Sequence, residues 1–255
     1  MGIAKEAAYK TLDIVTFGRG VPREIGGEKF RFPAKFSRYY EANYEPETFR
    51  FLRSRLQPGD VAIDVGGHIG LFAVLAARLV GPRGKVFSFE PTPFTRSVLE
   101  KVVELNGCSD TVEVRPEAVS SQRGSTVFYD TGTEISNANS LVRTGLSRSE
   151  IPIELISLDE FAAERGITVN CIKIDAEGAE YDVLLGAKRI LTEDRPYVRL
   201  GLHPPFIAEK GDSLEQIWDL IAECGYSVEF NGESYDKMQF CSNAELFDVN
   251  LIPSS

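Results

Sequence analysis

The ten residues Val61-Ala-Ile-Asp-Val-Gly-Gly-His-Ile-Gly70 constrain this chain more than any other stretch. They read as a short buried strand, a glycine turn after Asp64, and the start of an apolar helix over about 69–80. That helix carries Leu71, Val74, Leu75 and Leu79 at helical spacing. Gly66 and Gly67 let the backbone approach a ligand with no Cβ in the way, and Gly70 lets the helix pack close to the strand. The helix then offers free N–H groups and the positive end of its dipole, which suits a nucleoside-type cofactor. A dinucleotide fingerprint, G-x-G-x-x-G, needs glycines at 65, 67 and 70, and position 65 is Val. The pattern present is D-x-G-x-x-x-G.

After this turn the chain alternates strands and helices. Strands are expected over 85–90, 112–118, 125–129, 153–157, 169–175 and 196–203. Helices are expected over 93–106, 158–164 and 179–191, and from the capping box Ser213-Leu-Glu-Gln216. Alternation at 226–230 and 247–251 ends the series. Repeated β-α units imply a mainly parallel sheet with helices on both faces, and the closing strand pair implies one antiparallel strand near the edge. Residues 130–150 form a long polar loop in which Asn139-Ser140 could meet a ligand. Before all this stands an N-terminal extension, residues 1–50. Ala4 to Phe17 reads as a short amphipathic helix and Gly18 to Gly27 as turns. The aromatics Phe30, Phe32, Phe36, Tyr39, Tyr40, Tyr44, Phe49 and Phe51 follow. They either pack the extension onto the main domain, 51–255, or form a lid over a substrate.

In open α/β sheets the ligand crevice lies at the carboxyl ends of the strands. That rule singles out Asp64 to Gly70, Glu90-Pro91, Ala118-Val119, Asp175 to Glu180 and His203. Glu90 stands twenty residues after Gly70, where an acidic side chain can accept from both ribose hydroxyls of a nucleoside. The same logic would serve NAD, and a solvated carboxylate at a strand end is the plain alternative. The run Lys173-Ile-Asp175-Ala-Glu177-Gly-Ala-Glu180 puts four charged groups at one strand end. Charges beside a buried strand are costly unless paired or functional. Either Lys173 and Asp175 form an ion pair before an acidic first turn, or Asp175 and Glu177 face a substrate or a metal ion. The chain has two histidines. His68, inside the turn, either shapes the cofactor loop, the favoured reading, or takes part in the chemistry. His203 is either a structural residue before Pro204-Pro205 or, as a neutral imidazole, a general base near pH 7.

A net charge of −10 argues against broad binding to nucleic acid or anionic lipid. The four cysteines, Cys108, Cys171, Cys224 and Cys241, show no C-x-x-C spacing, and the longest apolar run, Leu71 to Ala77, is too short to span a bilayer. A reduced, cytoplasmic protein without a membrane partner is the expectation; oligomeric state is left open.

Four elements occur in order: Ile63-Asp64-Val65-Gly66…Gly70, Phe89-Glu90-Pro91, Lys173-Ile174-Asp175-x-Glu177-Gly178-x-Glu180, and Leu202-His203-Pro204. Together they resemble the FkbM-type methyltransferases that depend on S-adenosylmethionine (SAM), over roughly residues 45–205. The resemblance implies a class I, Rossmann-like methyltransferase fold: a mainly parallel seven-stranded sheet with an antiparallel edge strand. It implies SAM as donor, S-adenosylhomocysteine (SAH) as product, and O-methylation of a hydroxyl on a sugar, glycan or polyketide-like natural product. It implies that Asp64, Gly66, Gly70 and Glu90 belong to the SAM site and that Asp175, Glu177 and His203 lie by the acceptor. With the crevice rule, the cofactor set becomes Asp64, Gly66, Gly67, His68, Gly70, Glu90, Pro91, Ala118 and Asp175, and the catalytic set His203, Asp175 and Glu177. The family commonly has Glu two residues before that His; here it is Gly201. Mg²⁺ favours oxygen ligands such as these, but three convincing ligands are not visible in the sequence, so no metal ligand is assigned. Two rivals stand: an NAD-dependent oxidoreductase, against which Val65 counts, and a catalytically silent binding module, which Gly201 keeps alive.

Overall fold

The computed structural model describes residues 18–130 and 149–254, together with Tyr9, Val15 and Thr16. The helix expected over 4–17 falls almost wholly outside the described residues, and Asn139-Ser140 wholly so. The extension opens with an unexpected hairpin, β1 (Val21–Ile25) and β2 (Glu28–Phe32). Its two-residue turn, Gly26-Gly27, has both φ angles positive, +56° and +78°, as a primed hairpin turn requires. Ile25, Phe30 and Phe32 are buried beneath it. Helix α1 (Pro46–Arg55) follows, with Pro46 in its first turn.

The main sheet then begins with β3 (Val61–Val65), α2 (Leu71–Val80), β4 (Lys85–Phe89), α3 (Pro93–Leu105) and β5 (Val112–Arg115), the strands pairing in parallel. The strand expected over 112–118 divides here. β6 (Ala118–Val119) joins a second, three-stranded sheet with β7 (Gly124–Asp130) and β8 (Ser149–Ile156). Helix α4 (Leu158–Arg165) starts at Ser157, whose hydroxyl accepts from Glu160 N–H. Strand β9 (Cys171–Ile174) returns to the main sheet. The single helix expected over 179–191 is two short ones, α5 (Glu180–Leu185) and α6 (Lys188–Glu193). The break has a tertiary cause: a Cβ on Gly186 would collide with the carbonyl oxygen of Ser120. The Asp159 carboxylate then caps α6 by accepting from Arg189 and Ile190 N–H, both at 2.9 Å. The chain closes with β10 (Tyr197–Leu202), α7 (Pro204–Lys210), α8 (Leu214–Glu223), β11 (Tyr226–Phe230), β12 (Glu233–Ser234), α9 (Lys237–Cys241) and β13 (Phe247–Pro253).

The order across the main sheet is β12-β11-β13-β10-β9-β3-β4-β5. Seven strands form its body, with two-residue β12 on the edge. Antiparallel pairing is confined to that end: β13 runs against both β10 and β11, and β12 against β11. Successive strands run outward from β3 in one direction and from β9 in the other. The switch point, and so the crevice, lies between the carboxyl ends of β3 and β9. Alternation divides the core. Ile63, Phe87, Ile172 and Leu200 face α4, α5, α6 and α8, while Ala62, Val86 and Cys171 face the hairpin, α1, α2 and α3. On the second face the registers align Ser88, Asp64, Lys173 and Arg199 in one buried polar row. No described helix is long and apolar enough to cross a membrane.

Candidate active site

The glycine turn is built by packing. Gly66 has φ +79°, and a Cβ there would collide with the carbonyl oxygen of Asp175 beyond β9. A Cβ on Gly67 would strike the Ser88 hydroxyl and Leu99. On Gly70, at φ +86°, it would press to 3.3 Å from Leu99 of α3. The turn thus lies tight against its neighbours, which aims the His68 N–H at Glu90: it donates to Oε2 at 3.0 Å, while Thr92 N–H donates to Oε1 at 2.8 Å. Glu90 ties the turns after β3 and β4 together. Burial raises its carboxyl to about 7, against the opposing hydrogen bonds of Thr92 and His68.

Asp64 lies below this turn. Ser88 donates to its Oδ2 at 3.0 Å, and its Oδ1 is buried without a protein partner among the described residues. Burial raises its pKa against the pull of Lys173 and Ser88. His68 takes φ +49° and shares a 2.9 Å hydrogen bond between its Nδ1 and the Tyr40 hydroxyl. Burial lowers it to about 4, so it is neutral at pH 7.

The end of β9 carries the second group. Lys173 is buried, 3.4 Å from Asp175 Oδ2, with its ammonium 5.1 Å from the centre of the Phe72 ring. Burial works against its charge, but Asp175, Asp64, Glu45 and Asp248 outweigh it and raise its pKa. Asp175 is held below the usual carboxylate range because Lys173 and His203 overcome its burial. Glu177 takes φ +47°, and Gly178 next to it takes φ +99°, where a Cβ would come within 2.6 Å of Phe206. Burial raises Glu177 to about 8 against the pull of His203.

His203 follows β10. Its Nδ1 meets the fully buried Glu180 Oε1 at 2.9 Å, and its Nε2 lies 3.2 Å from Glu177 Oε2 and 3.6 Å from Asp175 Oδ1. Burial opposes its charge, but Glu180, Glu177 and Asp175 together raise it to about 9.

A cleft of about 850 Å³, open mouth included, runs between the two groups. Of the residues expected from sequence, Gly66, Gly67, His68, Glu90, Pro91, Ala118, Asp175 and Glu177 line it. Asp64, Gly70 and His203 do not; they support the wall from behind. Tyr40, Tyr44 and Glu45 of the extension line the same cleft; sequence reasoning held a lid as one of two readings of the aromatics but did not single out these rings or Glu45. Their aromatic cluster was visible, but which rings reach the cleft depends on long-range packing. Glu45 is held there through Thr48, whose hydroxyl donates to Glu45 Oε2 at 2.8 Å and accepts from Arg199 Nε at 3.1 Å. Gly201 faces Asp248 of β13: a Cβ at 201 would lie 3.0 Å from Asp248 Oδ1 and 3.7 Å from Asp175 Oδ1. The space a longer side chain would need is held by a carboxylate that Arg199 anchors at 3.0 Å.

Sheet order and crevice define a class I methyltransferase fold. The family description "Methyltransferase FkbM domain" matches residues 64–228, well over half of the chain, and the chain belongs to that family. It is 29% identical over 204 residues to the 31-O-demethyl-FK506 methyltransferase FkbM of Streptomyces tacrolimicus, covering 68% of this chain and 75% of the relative. It is 27% identical over 154 residues to the 2-O-methyltransferase NoeI of Sinorhizobium fredii, covering 54% and 62%. A solved candidate rRNA methylase from Clostridium thermocellum shares the fold, with a TM-score of 0.51 at 12% identity over 85% of this chain and 98% of that one.

Proposed function

We propose that this chain is a SAM-dependent O-methyltransferase acting on a hydroxyl of a sugar or natural-product acceptor. One observation carries the reading: a single cleft at the switch point runs from the glycine turn and Glu90 to Asp175 and Glu177. SAM supplies an electrophilic methyl group on a sulfonium cation. Glu90 accepts from the ribose hydroxyls, and the turn 66–68 lies along the rest of the cofactor. Among the described wall residues Lys173 is the one lysine or arginine, against Glu45, Glu117 and Asp175 and the raised carboxyls of Glu90 and Glu177. Such a wall suits a cation and disfavours the two phosphates of NAD. The O-methyltransferase names of the two relatives support transfer to oxygen.

Asp175 and Glu177, on the wall, are the groups within reach of an acceptor hydroxyl, and His203 behind them is a positioning residue. Tyr40 and Tyr44 cover the cleft and exclude water, so most of the acceleration comes from alignment of the two substrates. Calorimetry with SAM, SAH and NAD tests the donor. SAM and SAH are expected to bind and NAD not to, and Glu90→Ala to weaken SAM by about 10–100-fold, the value of a charged hydrogen bond. Mass spectrometry of a panel of glycosides and macrolide-type alcohols tests the acceptor, with one added methyl on oxygen as the expected product. Preference for NAD, or no binding of SAM or SAH, overturns the reading.

A further inference from the structure

We propose that Asp175 Oδ1, Glu177 Oε2 and His203 Nε2 form one face of a binding site for a first-row divalent cation such as Mn²⁺, opening onto the cleft. One ligand atom of each residue lies within 4.8 Å of the other two, with the imidazole Nε2 3.2 Å from Glu177 Oε2 and 3.6 Å from Asp175 Oδ1. Ligand atoms about 2.0–2.2 Å from one ion sit about 3–3.5 Å apart when adjacent in its shell, so little movement closes the set. The chemistry of the donors selects the ion. Two carboxylates and an imidazole suit Mn²⁺, Co²⁺ or Zn²⁺, whereas Mg²⁺ and Ca²⁺ take oxygen.

A second observation lies behind the ring. Glu180 is completely buried; its Oε1 accepts from Gly178 N–H at 3.0 Å and meets His203 Nδ1 at 2.9 Å. Its Oε2 is buried with no partner among the described residues. A carboxylate on one imidazole nitrogen fixes the ring and aims the other nitrogen, here at Asp175 and Glu177. This is how metal-ligating histidines are held. The Phe206 ring lies parallel to the imidazole, 9° between planes with centroids 6.1 Å apart, and the Phe206 backbone and Cβ leave no room for a side chain at Gly178. The sequence puts Asp175 and Glu177 in one run but leaves His203 at a different strand end, so the fold is what sets the third ligand beside the other two.

Asp175 and Glu177 also line the cleft, so the open side of the ion would face the acceptor and could take its oxygen. That role rests on the methyl-transfer reading; the binding of the ion does not. The test is calorimetry of the EDTA-treated full chain with MnCl₂, paired with loss of the free Mn²⁺ electron paramagnetic resonance signal. One Mn²⁺ per chain is expected, with Mg²⁺ competing poorly. Glu177→Gln should weaken Mn²⁺ at least tenfold, and Glu180→Gln by about 10–100-fold through misorientation of the ring. Asp219→Asn, at an exposed position of α8, should change nothing. Circular dichroism checks that each variant is folded, and the rim variant Glu177→Gln keeps the test open if Glu180→Gln unfolds. Absence of Mn²⁺ binding at millimolar concentration, or wild-type binding by Glu177→Gln, overturns the site and leaves a plain ion-pair cluster. SAM titrated into the same metal-free samples separates the two readings. SAM without Mn²⁺ binding sinks only the metal site, and Mn²⁺ without SAM binding sinks only the methyltransferase proposal.

Discussion

At the scale of single residues, Glu90 is the side chain on which the cofactor end turns. It serves two masters: the backbone N–H groups of His68 and Thr92, and the ribose proposed for it. Both favour the ionised form, while burial opposes it and brings the pKa to about 7. From pH 8 to pH 6 the ionised fraction therefore falls from about nine-tenths to about one-tenth. SAM affinity should fall with it, by up to about tenfold. Folding responds with the opposite sign. Between about pH 4.5 and 7 the folded chain keeps a proton at Glu90 that the unfolded chain releases, so this group penalises folding above pH 7 and the penalty relaxes as pH drops. Calorimetry and urea unfolding at pH 6 and 8, each compared with Glu90→Gln, check both trends. If the variant shows the same pH dependence of SAM affinity as the wild-type protein, Glu90 is not the titrating group.

At the scale of elements, the strand–turn–helix at 61–80 and the charged end of β9 were legible because their signals are local. Glycine register, an acidic residue at a set distance and a period of alternation all sit inside short windows. What was not legible depends on partners far along the chain. The hairpin at 21–32 carried its Gly26-Gly27 turn in plain view, but its strands hold charged residues outward and the run reads as turns. His203 needed Glu180, twenty-three residues earlier, to explain its ring. The break between α5 and α6 needed the approach of Ser120, since Gly186 itself has φ −76° and strains nothing alone. That last point is testable. Gly186→Ala keeps a permitted backbone conformation and adds one methyl into the Ser120 carbonyl, so the cost is pure overpacking, about 1–3 kcal/mol. Urea unfolding should show a lower midpoint with an unchanged slope. An unaltered midpoint would mean that the turn between β6 and β7 gives way freely and that the break has another cause.

At the scale of the whole molecule, the question is whether the extension is a removable lid or part of the body. Helix α2 decides it. Eight of its ten residues are buried, with no polar face. A helix apolar all round must be covered all round. The sheet covers one side. The other is covered by the hairpin and α1, where Phe49 meets Phe72 edge-on at 5.7 Å and Tyr44 stacks on it at 6.3 Å. Phe30, Phe32, Phe49, Phe51, Leu52 and Leu56 are all buried in that shared core. At roughly 2 kcal/mol for each large apolar side chain, their burial is worth about 12 kcal/mol before the ordering of the segment is subtracted. That is as large as the whole net stability of an ordinary domain, about 5–15 kcal/mol. The same segment carries Tyr40, Tyr44 and Glu45 to the cleft, so core and cover are one construction. A chain beginning at residue 57 should therefore fail to give a cooperative thermal transition and should aggregate through the bared face of α2. By contrast, Tyr44→Phe, which keeps the ring and removes only the hydroxyl, should leave the transition nearly in place. A truncated chain that melts cooperatively and still binds SAM would make the extension a lid alone, with α2 finding its cover elsewhere.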